Sequence, residues 1–293
     1  MKKILLFAKN GQLGWELQRT LAPLGQVIAL DYPEVDFSKP EGLRALVREY
    51  GPDMIVNPAA YTAVDKAETQ RELTFAINRN APEVLAEEAK AAGIPFIHYS
   101  TDYVYDGRKG SAYLETDAPH PLNVYGQSKL EGDQAIAAVG GAWLILRTSW
   151  VYSLRQGGFV TKVLQWARQQ EVLRVVDDQT SGPTAARLLA EITSLILMQT
   201  IAQGTDWLHE KAGIYHCAGD GSCSRFEWAE KIMALDPHPE EQRVKALARA
   251  SSSEFPVVAE RPLVSVLNCD KLEKTFGLRL PSWEEGLRLV MGS

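Results

Sequence analysis

The chain has 293 residues, 45% of them hydrophobic, and a formal net charge of −6, enough material for a buried core in one large domain or two modest ones. That acidic balance argues against a surface that binds nucleic acid non-specifically, which needs concentrated Lys and Arg, but leaves room for a small basic pocket for a phosphorylated ligand. The scattered cysteines Cys217, Cys223 and Cys269 suit neither a disulfide framework nor metal ligation, and they point to a reducing cytoplasm.

The opening "MKKILLFAKNG" sets two lysines before an apolar run and so mimics a secretion signal. The run ends after about five residues and no small-residue cleavage site follows, so it reads as a first strand. The elements then alternate: helix "GWELQRTLAPL", strand "QVIALD", helix "PEGLRALVREY", strand "DMIVNPAA", helix "APEVLAEEAKAAG", strand "PFIHYS", helix "SKLEGDQAIAAV", strand "AWLILRTSW". Strands apolar on both faces, separated by helices, predict an α/β fold with a doubly wound parallel sheet of the Rossmann type over residues 1–150.

From about 151 to 293 the rhythm loosens, predicting a smaller α/β substrate-binding region partly interleaved with the first, with residues near 187–220 packing back on it. A Gly-rich break at "RQGGF" precedes the helix "VTKVLQWARQQ", the strand "LRVV" and the turn-rich "DDQTSGPT". The helix "AARLLAEITSLILM" is interrupted by Glu191 and falls short of the roughly 20 apolar residues that cross a bilayer, so no membrane partner is expected. "GIYHCAG" reads as a strand, "SRFEWAEKIMAL" as a helix, "EEQRVKALAR" as a solvated helix or connection, and "PSWEEGLRLV" as a closing helix.

Three features carry chemistry. The loop "FAKNGQLG" reads A-x-x-G-x-x-G through Ala8, Gly11 and Gly14, two of the three glycines of a dinucleotide turn, and Asp31 stands about 20 positions on at the end of the second strand, where a ribose hydroxyl is held. Alone, Asn10-Gly11 is as readily a plain turn. "PLNVYGQSKLEG" sets Tyr125 and Lys129 at i and i+4, on one face if a helix starts there. An ammonium beside a phenol favours the phenolate and lowers its pKa, and such a pair can protonate a carbonyl as hydride reaches its carbon. The strand "FIHYS" then puts Ser100 and Thr101 at the sheet's carboxyl edge, while His98 and His216 read as packed core residues.

Together with "DFSKPEGL", "PDMIVNPAAYTAVDKAE", "IHYSTDYVYDG", "LRTSWVY", "VVDDQTSGPT" and "AERPLVSVLNCDKL", these motifs resemble, in order and spacing, the extended short-chain dehydrogenase/reductases, and among them the dTDP-4-dehydrorhamnose reductase family. The resemblance implies reduction of the C4 keto group of dTDP-4-dehydro-L-rhamnose by NADPH or NADH. It places Gly11, Gln12 and Leu13 on the cofactor pyrophosphate, Asp31, Asp36 and Phe37 at its adenosine end, and Ala60, Tyr61 and Thr62 along the groove. Tyr125 is implied as proton donor, Lys129 as its partner and ribose anchor, and Thr101 as the hydroxyl polarising the carbonyl. Asp102, Trp150 and Arg261 are implied to contact the dTDP-sugar. Related dehydratases carry a second carboxylate after the Thr-Asp pair, for acid–base elimination, and here Tyr103 stands instead.

The chain departs from the family pattern at Ala8, where glycine is usual, at Pro58, and at Arg187, where some members carry a glutamate tied to a magnesium-bridged dimer. Glu16 is left as one candidate magnesium ligand, but a single exposed carboxylate on a helix is more often just a solvated side chain, so the metal and the choice between monomer and homodimer stay open. Ala8 is expected to keep a negative φ, since only left-handed geometry calls for glycine. Asp31 favours NADH, with Lys9 and Arg19 nearby to offset it. Two alternatives remain: an NAD(P)-binding regulatory subunit resembling the beta subunit of methionine adenosyltransferase, and another nucleotide-sugar epimerase or dehydratase.

Overall fold

The computed structural model describes residues 1–155 and 157–292, so Gln156 of the "RQGGF" break lies outside it. Six parallel strands form one sheet: β1 (Lys2–Phe7), β2 (Gly25–Leu30), β3 (Met54–Asn57), β4 (Phe96–Thr101), β5 (Trp143–Thr148) and, from much later in the chain, a strand at Gly213–His216. Side by side they run β2, β1, β3, β4, β5 and then that late strand. β2 and β3 therefore flank β1, and the connections leaving β1 and β2 diverge. Between them opens a crevice at the carboxyl edge, the place where such sheets bind ligands.

Alternation along β1 shows why the sheet is covered on both faces. Ile4 and Leu6 join one apolar cluster with Leu13, Leu17 and Leu197, whereas Leu5 and Phe7 join another with Leu43, Val47, Val84 and Ile136. The first face is packed by α1 (Gln12–Leu21), and the second by α2 (Gly42–Tyr50). Two short helices, α3 (Val64–Ala67) and α4 (Arg71–Phe75), lead through a π-helical turn at Ala76–Asn80 into α5 (Ala81–Ala92) and then α6 (Val124–Val139), which lie on the second face.

The later chain contributes a third core. β6 (Val151–Tyr152) pairs with β9 (Thr184–Ala185), β7 (Val172–Val176) follows α7 (Phe159–Gln169), and β8 (Thr180–Ser181) pairs with β11 (Cys223–Ser224). α8 (Ala186–Gln203) lies against α1 on the first face and leads through α9 (Thr205–His209) into the sixth sheet strand, β10. Trp228 of α10 (Arg225–Ala234) and Leu287 of α12 (Trp283–Met291), which follows α11 (Asp270–Phe276), pack with Val160, Val163, Leu173 and Val175.

One expectation fails here. Part of "EEQRVKALAR" is neither helix nor connection: Ala246–Ala250 is a strand, β12, running parallel to β7. Alanine favours helix locally, but pairing with β7 and the lodging of Leu247 against the third core outweigh that weak propensity.

Candidate active site

The loop after β1 corrects the expectation for Ala8, whose φ is +52°. Its carbonyl accepts the Gly11 amide at 3.0 Å and lies 1.9 Å from where a Cβ on Gly14 would sit. Gly14 is thus required for α1 to press against the strand end, and the chain bends through left-handed geometry at Ala8 to reach that contact. A methyl there costs roughly 1–2 kcal/mol.

Gly11 caps α1 without a side-chain hydrogen bond, so the amides of the first turn, at Gln12, Leu13 and Gly14, open outward from the crevice floor. Leu13 is buried in the first core, which turns its side chain away, and Gln12 is tied by Ser153 (3.0 Å) to the chain beyond β6. An uncapped helix start behind a glycine turn that tolerates no Cβ fits a dinucleotide pyrophosphate.

Around the far end of that crevice, Asp31 accepts the amides of Asn10 (2.9 Å) and Tyr32 (2.8 Å), and Asp36 accepts Ser38. Phe37 packs edge-on against Phe7. Lys9 does not offset Asp31 freely, because Glu34 holds it at 2.7 Å, and Arg19 stacks on Trp15 instead. Ala60, Tyr61 and Thr62 follow β3, where buried Asn78 of the π-helical turn clamps both the amide (2.7 Å) and the carbonyl (3.1 Å) of Tyr61.

The pattern "YGQSKLEG" becomes intelligible in α6. Asn123 caps the helix by accepting the Gly126 amide at 2.8 Å. Gly126 and Gly132 are each needed for close approach, since a Cβ would fall 2.2 Å from the Tyr103 and Asn78 carbonyls respectively. Ser128 accepts from Asn78 at 3.0 Å. With the helix so pinned, Tyr125 and Lys129 face the carboxyl end of β4. There the Tyr125 hydroxyl meets that of Thr101, which also donates to Asp102 at 3.1 Å.

The electrostatics differ from the expected ones. Burial, not Lys129, dominates Tyr125 and raises its pKa, with the Thr101 hydrogen bond acting in the opposite direction. Burial lowers Lys129 to about 8, opposed by the Asp133 charge. Its Nζ donates to the Tyr99 carbonyl (2.7 Å) and lies 2.9 Å from His98 Nε2. Asp133 itself is taken by Arg147 of β5 at 3.0 Å, a pair that is almost fully buried.

Next to Thr101, burial raises the Asp102 carboxyl to about 6 against the hydrogen bond from Ser265 at 2.5 Å. Trp150, at the end of β5, has a φ of +43° and stacks on Trp228 at 5.5 Å. Arg225 lies 3.6 Å over the Trp150 ring. Arg261 is paired with Asp65 at 2.7 Å and, with Arg225, Lys162, Phe159 and Trp166, lines a cavity of about 500 Å³.

Sequence reasoning passed over Arg225, Lys162, Asn78 and Ser265. A signal for Arg225 existed: Ser224 and Glu227 form a capping box, which makes Arg225 the first residue of α10, where the helix dipole disfavours a cation. A larger cavity, about 630 Å³, lies apart from these groups, lined by Trp15, Glu16, Arg19, Arg187 and Glu191. In it Arg187 pairs with Glu191 at 2.8 Å. Among the described residues, the one group of His, Cys, Asp or Glu side chains close enough to share a metal ion is the exposed His238, Glu240 and Glu241, none of which lines this cavity.

Comparison with known proteins identifies the family. The model of the RmlD substrate binding domain matches residues 1–293. The dTDP-4-dehydrorhamnose reductase of Burkholderia thailandensis is 41% identical, covering 99% of this chain and 98% of the relative, and that of Escherichia coli K12 is 40% identical over 98% and 96%. Among solved structures, a dTDP-4-dehydrorhamnose reductase from Clostridium acetobutylicum superposes with a TM-score of 0.89 at 33% identity, over 99% of this chain and 98% of that one. One from Bacillus anthracis, solved in complex with NADP, gives 0.87 at 31%, again over 99% and 98%. A Thermus thermophilus UDP-glucose 4-epimerase, at 20% identity and a TM-score of 0.77, shares the fold. With a family model spanning the whole chain and relatives this similar along nearly their full length, the chain belongs to the dTDP-4-dehydrorhamnose reductase family.

Proposed function

We propose that the chain reduces the C4 keto group of dTDP-4-dehydro-L-rhamnose to give dTDP-L-rhamnose, with Tyr125 as the proton donor. The observation that carries this reading is the meeting of Tyr125 and Thr101 hydroxyls at the carboxyl end of β4, one helical turn from Lys129. The amides opening at Gln12, Leu13 and Gly14 would hold the pyrophosphate of NADPH or NADH, Asp31, Asp36 and Phe37 would border its adenosine end, and Ala60, Tyr61 and Thr62 the groove between. When bound, that cofactor supplies a hydride.

Tyr125 is in the right state for its part: a phenol is protonated at neutral pH, and burial raises its pKa further. It passes its proton to the carbonyl oxygen, and Thr101, turning from Asp102, donates a hydrogen bond to the same oxygen. The phenolate left behind is stabilised by the Lys129 ammonium one turn on. Tyr103 packs edge-on to Tyr125 at 5.6 Å, so an aromatic ring stands where elimination chemistry would need a second carboxylate.

For the nucleotide end, the cavity beside Trp150 offers the cations Arg225, Arg261 and Lys162 and the rings of Phe159 and Trp166, a set suited to a diphosphate and a base. Trp150, with Arg225 3.6 Å over its ring, and Asp102, hydrogen-bonded to Thr101, would contact the sugar.

The test is to mix the purified chain with dTDP-4-dehydro-L-rhamnose and either NADH or NADPH. Loss of reduced-cofactor absorbance matching dTDP-L-rhamnose formed one for one supports the proposal. Cofactor binding without turnover points to a regulatory subunit, and turnover without net cofactor oxidation to an epimerase or dehydratase.

A further inference from the structure

We propose that His98 is a positioning residue for the proposed reduction: its Nε2 accepts one N–H of Lys129 and, with the Tyr99 carbonyl, leaves the third N–H directed at the cleft beside Tyr125. The inference rests on the reading of Lys129 as the partner of Tyr125.

The geometry assigns the imidazole tautomer. An ammonium has three N–H bonds and no lone pair, so the 2.9 Å contact with Lys129 requires an unprotonated Nε2. The proton of the neutral ring is then on Nδ1, which donates to the Asn57 carbonyl at 3.2 Å. That carbonyl belongs to β3, so His98 ties the ammonium to two neighbouring strands. His98 is fully buried, and burial, reinforced by the Lys129 charge, holds its pKa well below the usual value. The ring therefore stays a neutral acceptor wherever the enzyme works.

The surrounding charges explain why such an acceptor matters. Lys129 is faced by Asp133 from its own helix, where Tyr125 stands one turn before it, by Tyr99 and His98 from β4, and, through Asp133, by Arg147 from β5. Asp133 lies one turn beyond Lys129 on α6 and its charge favours the ammonium, but its Oδ2 is engaged by Arg147 at 3.0 Å, while the hydrogen bonds of Nζ go to Tyr99 and His98. His98 supplies a neutral acceptor from β4. Lys129 is thus fixed without being neutralised, and its charge stays available to a phenolate on Tyr125.

The experiment compares His98→Leu, His98→Gln and Lys129→Met with the unmodified chain. It measures kcat, KM for the sugar nucleotide, the pH profile of kcat/KM and the melting temperature, and it adds ¹⁵N NMR of histidine-labelled protein without cofactor. His98→Leu is expected to lower kcat roughly 10- to 100-fold, the scale of one lost hydrogen bond to a charged group. KM should change little, and the basic limb should move to lower pH as the ammonium loses an acceptor. His98→Gln, whose amide oxygen can accept from Lys129, should recover most of the rate, and the ¹⁵N spectrum should show the Nδ1–H tautomer.

A folded His98→Leu with unmodified kcat and basic limb overturns the proposal, as does a Gln variant no better than Leu, or an Nε2–H tautomer. If His98→Leu does not fold, the tautomer and the Gln variant decide. Full activity in Lys129→Met overturns both this inference and the assigned role of Lys129. Loss in Lys129→Met with none in His98→Leu overturns this inference alone.

Discussion

The guanidinium of Arg225 lies 3.6 Å from the centroid of the Trp150 ring, which in turn stacks on Trp228. Burial lowers Arg225 to about 10, leaving it cationic at neutral pH. A cation desolvated on an aromatic platform at a helix start is poorly placed for stability and well placed for an anionic ligand. Arg225→Met is expected to raise KM for the dTDP-sugar roughly 10- to 100-fold, the scale of a lost charge-assisted contact, with a smaller change in kcat. Steady-state kinetics at saturating cofactor checks it, and an unchanged KM would remove Arg225 from the binding site.

Ala8 offers a test of backbone strain. Its φ of +52° carries a penalty of roughly 1–2 kcal/mol, and glycine brings about 0.5–1 kcal/mol of extra unfolded-state entropy. Ala8→Gly should therefore stabilise the chain by about 0.5–1 kcal/mol in urea unfolding. A destabilised variant would show that Ala8 does not hold left-handed geometry.

His216 predicts a pH effect on stability. It is fully buried, its Nε2 lies 2.9 Å from the Tyr105 hydroxyl, and burial lowers its pKa from 6.5 to about 3. The folded pKa is depressed, so below 6.5 the unfolded chain takes up a proton that the folded chain refuses, and stability falls as pH drops towards 3. Between pH 6.5 and 4.5 this residue alone accounts for a loss of about 2 kcal/mol, and His216→Gln should lose less than the unmodified chain by that amount. Parallel losses in the two proteins would contradict the assignment.

Cofactor preference follows from Lys9, held by Glu34 at 2.7 Å beside Asp31. If the proposed ribose end lies here, these two carboxylates disfavour a 2′-phosphate, and NADH should be the better donor. Glu34→Gln frees Lys9 and should raise the NADPH-to-NADH ratio of kcat/KM by about two- to fivefold, the scale of an exposed ion pair. An unchanged ratio would place the 2′ position elsewhere.

Much of this architecture is legible in the residues. Strands such as "KILLF" are apolar on both faces, which only a sheet covered on both sides accommodates, and the Tyr125–Lys129 spacing survives folding because Asn123, Gly126 and Gly132 fix where α6 starts and what it touches. What escapes the sequence depends on partners distant in the chain. The turn at Ala8 is set by the packing of Gly14, β12 by the presence of β7, and the raised pKa of Tyr125 by burial that spacing does not report. His98 reads as core because its partner lies 31 residues on, in another element.

The central claim, that Tyr125 donates the proton, is tested most directly by single-turnover hydride transfer to dTDP-4-dehydro-L-rhamnose in Tyr125→Phe, with cofactor affinity measured alongside. The rate is expected to fall by about 10²- to 10⁴-fold, as for loss of a general acid, with cofactor affinity within a few-fold of the unmodified chain. A rate within a few-fold of the unmodified chain would contradict it.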